Sequence, residues 1–193
     1  MKGARIGSMD DKIKKAVEPI VPKIPLIKQW IDGMLEKMVS GAQPANGLGF
    51  KRLPDFFSGE TLGRAQCIFV PAVPKPPLSQ LGIRGFEDYE SGFFEGITYG
   101  DVYFVRNRSL QNESVHFHEL VHVLQWKHLG PEKFILAYII EILKSGYREN
   151  RLEKMAYSHQ ALFDGKTGPY DVEKKVKEEL DREIASMLGN FLK

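Results

Sequence analysis

The sequence around His118-Glu119-Leu120-Val121-His122, HELVH in one-letter code, decides the fold that we expect for this chain. On an α-helix, residues four positions apart lie on the same face, one turn from each other. His118 and His122 can therefore share one Zn²⁺, each through a ring nitrogen at about 2.0–2.1 Å. Glu119 directly follows the first histidine, where its carboxylate can reach water beside such a metal and take its proton. The stretch thus predicts a helix that carries a metal site.

The residues on either side favour a helix that lies inside the protein. Apolar residues surround both histidines, and the pair Gly130-Pro131 marks the end of the helix soon afterwards. At 193 residues the chain is long enough to bury a sizeable core, and one compact domain is expected. Within it we predict an N-terminal helical segment over 1–60 that packs on a main part over 61–193.

Charge and hydropathy argue against several classes of partner. The formal net charge of +2 gives no electrostatic reason to expect binding to nucleic acid. No apolar stretch approaches the roughly 20 residues that a membrane span requires. The basic N-terminus lacks the apolar segment of a secretory signal, so a cytoplasmic location is expected. The lone cysteine, Cys67, cannot form a disulfide within the chain, and its apolar neighbours indicate a buried thiol.

Hydrophobic periodicity predicts mostly helices along the rest of the chain. Helices are expected over 26–39, 134–143, 150–163 and 171–192, with strands over 64–70 and, as a strand–turn–strand unit, over 93–105. Two proline-containing segments are expected to lack regular structure, an extended linker over 21–25 and a long loop over 71–85. Asn150 is a good N-cap residue, and Glu153 then stands where a capping-box carboxylate would be.

HELVH matches the HExxH motif, and at these five residues the chain resembles the zincin metallopeptidases. The resemblance extends over roughly 93–163. It implies an α+β fold, mainly helical, with a small mixed β-sheet preceding the HExxH helix. In zincins the last strand before that helix forms the wall of the cleft, so 102–105 is either that edge strand or a strand paired on both sides.

Catalytic zinc usually has three protein ligands and a water, so a third ligand is expected. In the gluzincin class it is a glutamate on a later helix, and the segment Asn150-xx-Glu153-xx-Ala156 is similar to that arrangement. The resemblance implies Glu153 as the third ligand, with Ala156 allowing its helix to pack closely against the HELVH helix.

Two other residues stay open as third ligands. Glu149 precedes the same helix. His128 lies ten residues after His118 (128 − 118 = 10), the third-histidine position of the metzincin motif, but Gln125 stands where that motif has glycine. If the helix continues, His128 lies about 600° of rotation beyond His122 and points away from the metal.

The resemblance implies a zinc-dependent peptidase, a hydrolase that acts on a peptide or protein. His118, His122 and Glu153 would hold one Zn²⁺ per chain, and Glu119 would be the general base. An oxyanion donor is also expected, and no spacing rule selects among Tyr147, Arg148, Tyr157 and His159. His116 lies about 200° round the helix from His118 and should face away from the metal.

Two alternatives to a peptidase remain open. One is a zincin-like binding or scaffold module that holds zinc without turnover, in which the proline-rich loop over 71–85 covers the cleft. The other is a core helix with satisfied histidines and no metal.

Overall fold

The computed structural model describes residues 11–166 and 168–189 and confirms a mainly helical α+β fold. The helices are α1 (11–17), α2 (Ile24–Met38), α3 (Gly59–Arg64), α4 (Glu87–Ser91), α5 (Glu113–Leu129), α6 (Pro131–Ser145), α7 (Arg151–Asp164), α8 (Val172–Glu183) and α9 (Ala185–Gly189). The strands are β1 (Gln43–Pro44), β2 (Gln66–Val70), β3 (Gly96–Tyr99) and β4 (Val102–Arg106).

The four strands form one mixed sheet in the order β1-β2-β4-β3. Strands β2 and β4 are parallel, while β3 and β4 form an antiparallel hairpin in which Tyr99 pairs with Val102. Gly100, in the two-residue turn of this hairpin, has a φ of 64°, a conformation that glycine adopts without strain. Of the two alternatives for 102–105, the structure has the strand paired on both sides. The edge strand on this side of the sheet is β3, and β1 lies at the opposite edge.

Helix α5 lies at the centre of the molecule. Its side chains from His116 to Trp126 are all buried, because β3, β4, α6, α7 and α8 pack around it. A tight connection through Gly130, at a φ of 75°, leads directly into α6, the second largely buried helix. The apolar stripe of α8 (Val172, Val176 and Leu180) packs against α5, as expected for an amphipathic helix.

Several boundaries differ from those predicted, among them the start of β2, at Gln66 instead of 64, and two segments differ in kind. The segment 21–25 is not extended: Val21–Lys23 forms a 3₁₀ turn and α2 begins at Ile24. A proline in the first turn of a helix loses no hydrogen bond and has a suitable φ, so Pro25 starts the helix instead of preventing it. The helix predicted over 171–192 is divided at Ile184 into α8 and α9. Its last residues, 190–192, lie outside the described part of the chain, as do 1–10 of the predicted N-terminal segment.

Buried side chains from both predicted parts of the chain, such as Ile27 and Ile31 before residue 60 and Ile135 and Ile139 after it, belong to one hydrophobic cluster. Within 11–166 and 168–189, no helix has both the length and the hydropathy that crossing a membrane would demand.

Candidate metal centre

Helices α5 and α7 bring two histidines and a glutamate together in the interior. His118 and His122 lie one turn apart on α5, and Glu153 lies in the first turn of α7. The Nε2 atoms of the two histidines are 3.1 Å apart. Glu153 Oε2 is 3.4 Å from Nε2 of His118, and its Oε1 is 3.4 Å from Nε2 of His122. All three side chains are buried, and together they could hold a metal ion.

The distances within this group are short enough for one metal ion. Ligand atoms about 2.0–2.1 Å from a tetrahedral zinc lie about 3.3 Å from one another. The two ring nitrogens lie 3.1 Å apart, each is 3.4 Å from one of the two Glu153 oxygens, and one ligand atom from each residue lies within 4.8 Å of the others. Glu153 Oε1 accepts a hydrogen bond of 2.6 Å from the Tyr138 hydroxyl. Glu153 Oε2 is buried and has no hydrogen-bond partner in the described part of the chain. A buried carboxylate oxygen without a partner is costly, and a cation beside it removes that cost.

The buried carboxylate of Glu153 favours a positive charge beside it. Burial by itself lowers the pKa of His122, but the attraction of Glu153 outweighs burial and raises it to about 9. Burial by itself raises the pKa of Glu153, yet the two histidines hold that pKa well below its usual value. Without metal the pair retains a proton at neutral pH, and a bound metal ion would replace it.

Glu119 lies beside this group on the side of β3. Its Oε2 accepts a hydrogen bond of 2.7 Å from the Thr98 hydroxyl, and the carboxylate is buried. Burial raises the pKa of Glu119, which moves the carboxyl towards the range useful in proton transfer. A Cβ atom added to Gly96 would lie 2.4 Å from Oε1 of Glu119. Glycine at this position of β3 therefore leaves the space that the carboxylate occupies.

Two cavities meet at the group. The outer one is an open cleft lined by polar and aromatic residues, among them Glu95, Arg148, Tyr157 and Gln160. The inner one is mostly apolar. Residues that line the inner cavity include Ile27, Ile31, Leu78, Ile97, Ile135 and Ile139. Phe94 and Tyr147 line both cavities, with ring centroids 4.7 Å apart, so this aromatic pair lies between them.

The structure places the other two candidate ligands away from the group. His128 Nε2 donates a hydrogen bond of 2.7 Å to the carboxylate of Asp181 of α8, near the surface. Glu149 is exposed and forms an ion pair with Lys154. His116 is buried, faces away as predicted, and lies 3.1 Å from the Tyr103 hydroxyl.

The candidate oxyanion donors separate into two sets. His159 faces α8, where its Nε2 is 3.5 Å from Glu179, and its Nδ1 is 2.8 Å from the hydroxyl of Tyr170, just before that helix. Tyr147, Arg148 and Tyr157 all line the outer cleft. The ring of Tyr157 lies 4.5 Å from that of His118, measured between centroids. Burial and the negative charge of Glu153 raise the pKa of both Tyr147 and Tyr157, so each hydroxyl keeps its proton and can donate a hydrogen bond.

Several residues at the site were not predicted. Gln160 Oε1 lies 3.0 Å from Nδ1 of His118, and Gln125 Oε1 lies 2.7 Å from Nδ1 of His122. The sequence predicts only a strand at Thr98 and Gly96, and gives no sign that they contact Glu119. Only Gln125 carried a local signal, because it lies three residues after His122 and so on the same face of one helix.

No protein-family model matches this chain, and neither the curated proteins nor the solved structures contain a match to it.

Proposed function

We propose that this chain is a zincin-like, zinc-dependent peptidase. Zinc would be held by His118, His122 and Glu153, a set of two imidazoles and one carboxylate that suits this metal. The observation that carries the proposal is the position of Glu119. A buried carboxylate, held by Thr98, borders the ligand group and the same two cavities.

Zinc held by these residues would lower the pKa of water beside it to about 7 and would polarise a substrate carbonyl. Glu119 then has the role of proton carrier. Because Oε2 is held by Thr98, Oε1 is the atom that accepts the proton of the attacking water and later delivers it to the leaving amine. Tyr147 or Tyr157 donates a hydrogen bond to the carbonyl oxygen as negative charge develops on it.

Two features support a peptide as the substrate. Strand β3 is the last strand in the sheet order and lies on α5, so an extended peptide could pair with its outer edge. The inner cavity borders Glu119 and its lining is mostly apolar, so it suits an uncharged, apolar side chain next to the scissile bond.

The test is Glu119→Gln, with Glu132→Gln, an exposed carboxylate at the start of α6, as the matched control. Zinc content is measured by elemental analysis, and hydrolysis by mass spectrometry of a peptide library with and without a chelator. We expect Glu119→Gln to retain one zinc per chain and to lose hydrolysis, and Glu132→Gln to behave as the wild type. Cleavage by the wild type should favour bonds beside large apolar residues.

The same experiment separates the alternatives. Zinc binding without cleavage by the wild type would indicate a binding or scaffold module, and absence of zinc would indicate a core helix. A scaffold module was expected to have the proline-rich loop over 71–85 covering the cleft. Pro76 and Leu78 line the inner cavity, but no residue of 71–85 is among the described residues that line the outer cleft, so the loop gives that alternative little support.

A further inference from the structure

A chain of hydrogen bonds holds the imidazole of His118, and the donor and acceptor of each bond can be assigned. Ser114 Oγ lies 2.9 Å from the carboxylate of Asp164, which can only accept when ionised, so the hydroxyl donates to it. Ser114 Oγ in turn accepts from Gln160 Nε2 at 2.8 Å. The amide of Gln160 therefore presents its oxygen to His118, 3.0 Å from Nδ1. This oxygen can only accept, so Nδ1 carries a hydrogen and Nε2 is the nitrogen left to face a metal ion.

A second amide holds His122 in the same way. Gln125 Nε2 donates to the backbone carbonyl of Leu152 at 2.9 Å, which fixes the orientation of its amide. The oxygen of Gln125 then accepts from Nδ1 of His122 at 2.7 Å. Both rings are thus oriented with Nδ1 as donor and with Nε2 directed at the other ring and at Glu153.

Both amides also connect α5 to α7. Gln160 lies on α7, seven residues after Glu153 (160 − 153 = 7), or about two turns along the same face. Leu152, the partner of Gln125, directly precedes Glu153. The contacts that orient the two rings therefore also hold the helix that carries the carboxylate. Each contact is made by a neutral side chain, so the site gains no negative charge beyond that of Glu153 and Glu119.

We propose that Gln125 and Gln160 are positioning residues that hold a hydrogen on Nδ1 of each histidine and so direct each Nε2 at the metal position before the ion arrives. Zinc then binds without the cost of turning either ring or of placing a hydrogen on Nδ1. The inference rests on the metal site of the proposed function but not on its peptidase activity.

The test uses Gln160, which is half-buried, because its replacement should leave the fold intact. Gln160→Met keeps the length of the side chain and removes the acceptor, whereas Gln160→Glu keeps an acceptor at the same position. Gln29→Met, on an exposed position of α2, is the matched control. The dissociation constant for zinc is measured by competition with a chromophoric chelator. Circular dichroism confirms that each variant is folded before the comparison.

We expect Gln160→Met to weaken zinc binding by about 10- to 100-fold, the usual effect of removing a group that orients a metal ligand. The zinc dissociation constants of Gln160→Glu and Gln29→Met should stay within about threefold of the wild-type value, which is a smaller change than the one expected for Gln160→Met. In nitrogen-15 NMR spectra of the zinc-loaded protein, the Nδ1–H proton of His118 should be protected from exchange in the wild type and in Gln160→Glu. It should exchange rapidly in Gln160→Met.

Unchanged zinc affinity in Gln160→Met would overturn the inference, and so would an equal loss in Gln160→Glu, because simple packing then explains the contact. Absence of zinc binding in the wild type would instead overturn the metal site itself. Zinc binding with the expected pattern but without hydrolysis would support the positioning role and remove only the peptidase.

Discussion

Replacement of Gly96 by alanine is the sharpest test of how Glu119 is placed. A Cβ at this position would lie 2.4 Å from Oε1 of Glu119, 2.6 Å from Cδ and 2.8 Å from Cγ. Atoms that are not bonded do not approach this closely, so one partner must move. The strand is held by its pairing with β4, whereas the glutamate side chain can rotate. We therefore expect the carboxylate of Glu119 to leave its position and to lose its hydrogen bond to Thr98.

The expected loss of stability is moderate and the loss of activity is large. Inserting a methyl group into a packed site typically costs about 1–3 kcal/mol. A general base displaced by an ångström or more should lower turnover at least about 100-fold. Zinc content should not change, because the three atoms nearest to the added Cβ all belong to Glu119 and not to a ligand side chain.

Gly33→Ala is the matched control. Gly33 lies within α2, and a Cβ added there would meet no atom within 4 Å. Alanine in a helix interior is favoured over glycine by about 0.5–1 kcal/mol, so this variant should be slightly more stable than the wild type. The free energy of unfolding is measured in urea, zinc by elemental analysis, and turnover on a peptide that the wild type cleaves. Wild-type stability and turnover in Gly96→Ala would refute the argument that glycine is needed to seat Glu119.

Two further predictions concern the ligand group and the sheet. Glu153→Gln should weaken zinc binding by more than about 100-fold, beyond the range seen for groups that only orient a ligand. Glu149→Gln, the exposed alternative, should bind zinc as the wild type does when both are measured by chelator competition. Equal losses in both variants would contradict the assignment of Glu153 as the ligand. Burial raises the pKa of Cys67 to about 12, so the thiol should not react with a disulfide reagent at pH 8 while the protein is folded and should react once it is unfolded in urea. Reaction of the folded protein at the rate of a free thiol would contradict the burial of Cys67 in β2.

Predictions from sequence succeeded where the controlling interaction is local. The period of the apolar residues in 26–39 and 134–143 predicted α2 and α6, and the turn residues around Gly100 predicted the hairpin of β3 and β4. The same reasoning was wrong at 21–25, where proline was read as preventing a helix although it can also begin one. Nor could the residues of 102–105 reveal which strand lies at the edge, because β2, on the other side of β4, is more than thirty residues away in the chain.

The sequence by itself determined that His118 and His122 share one helical face with Glu119 beside them, because the pitch of an α-helix depends only on the residues within it. Tertiary structure alone brought Glu153 to within 3.4 Å of both rings while leaving His128 and Glu149 outside the group. It also placed Gln160 against a histidine 42 positions earlier in the chain. It brought the side chain of Glu119 into the space that Gly96 leaves by having no Cβ. These contacts depend on how α7 and β3 pack against α5. That packing is determined by the burial of the whole core, and it has no periodic pattern in the sequence from which it could be predicted.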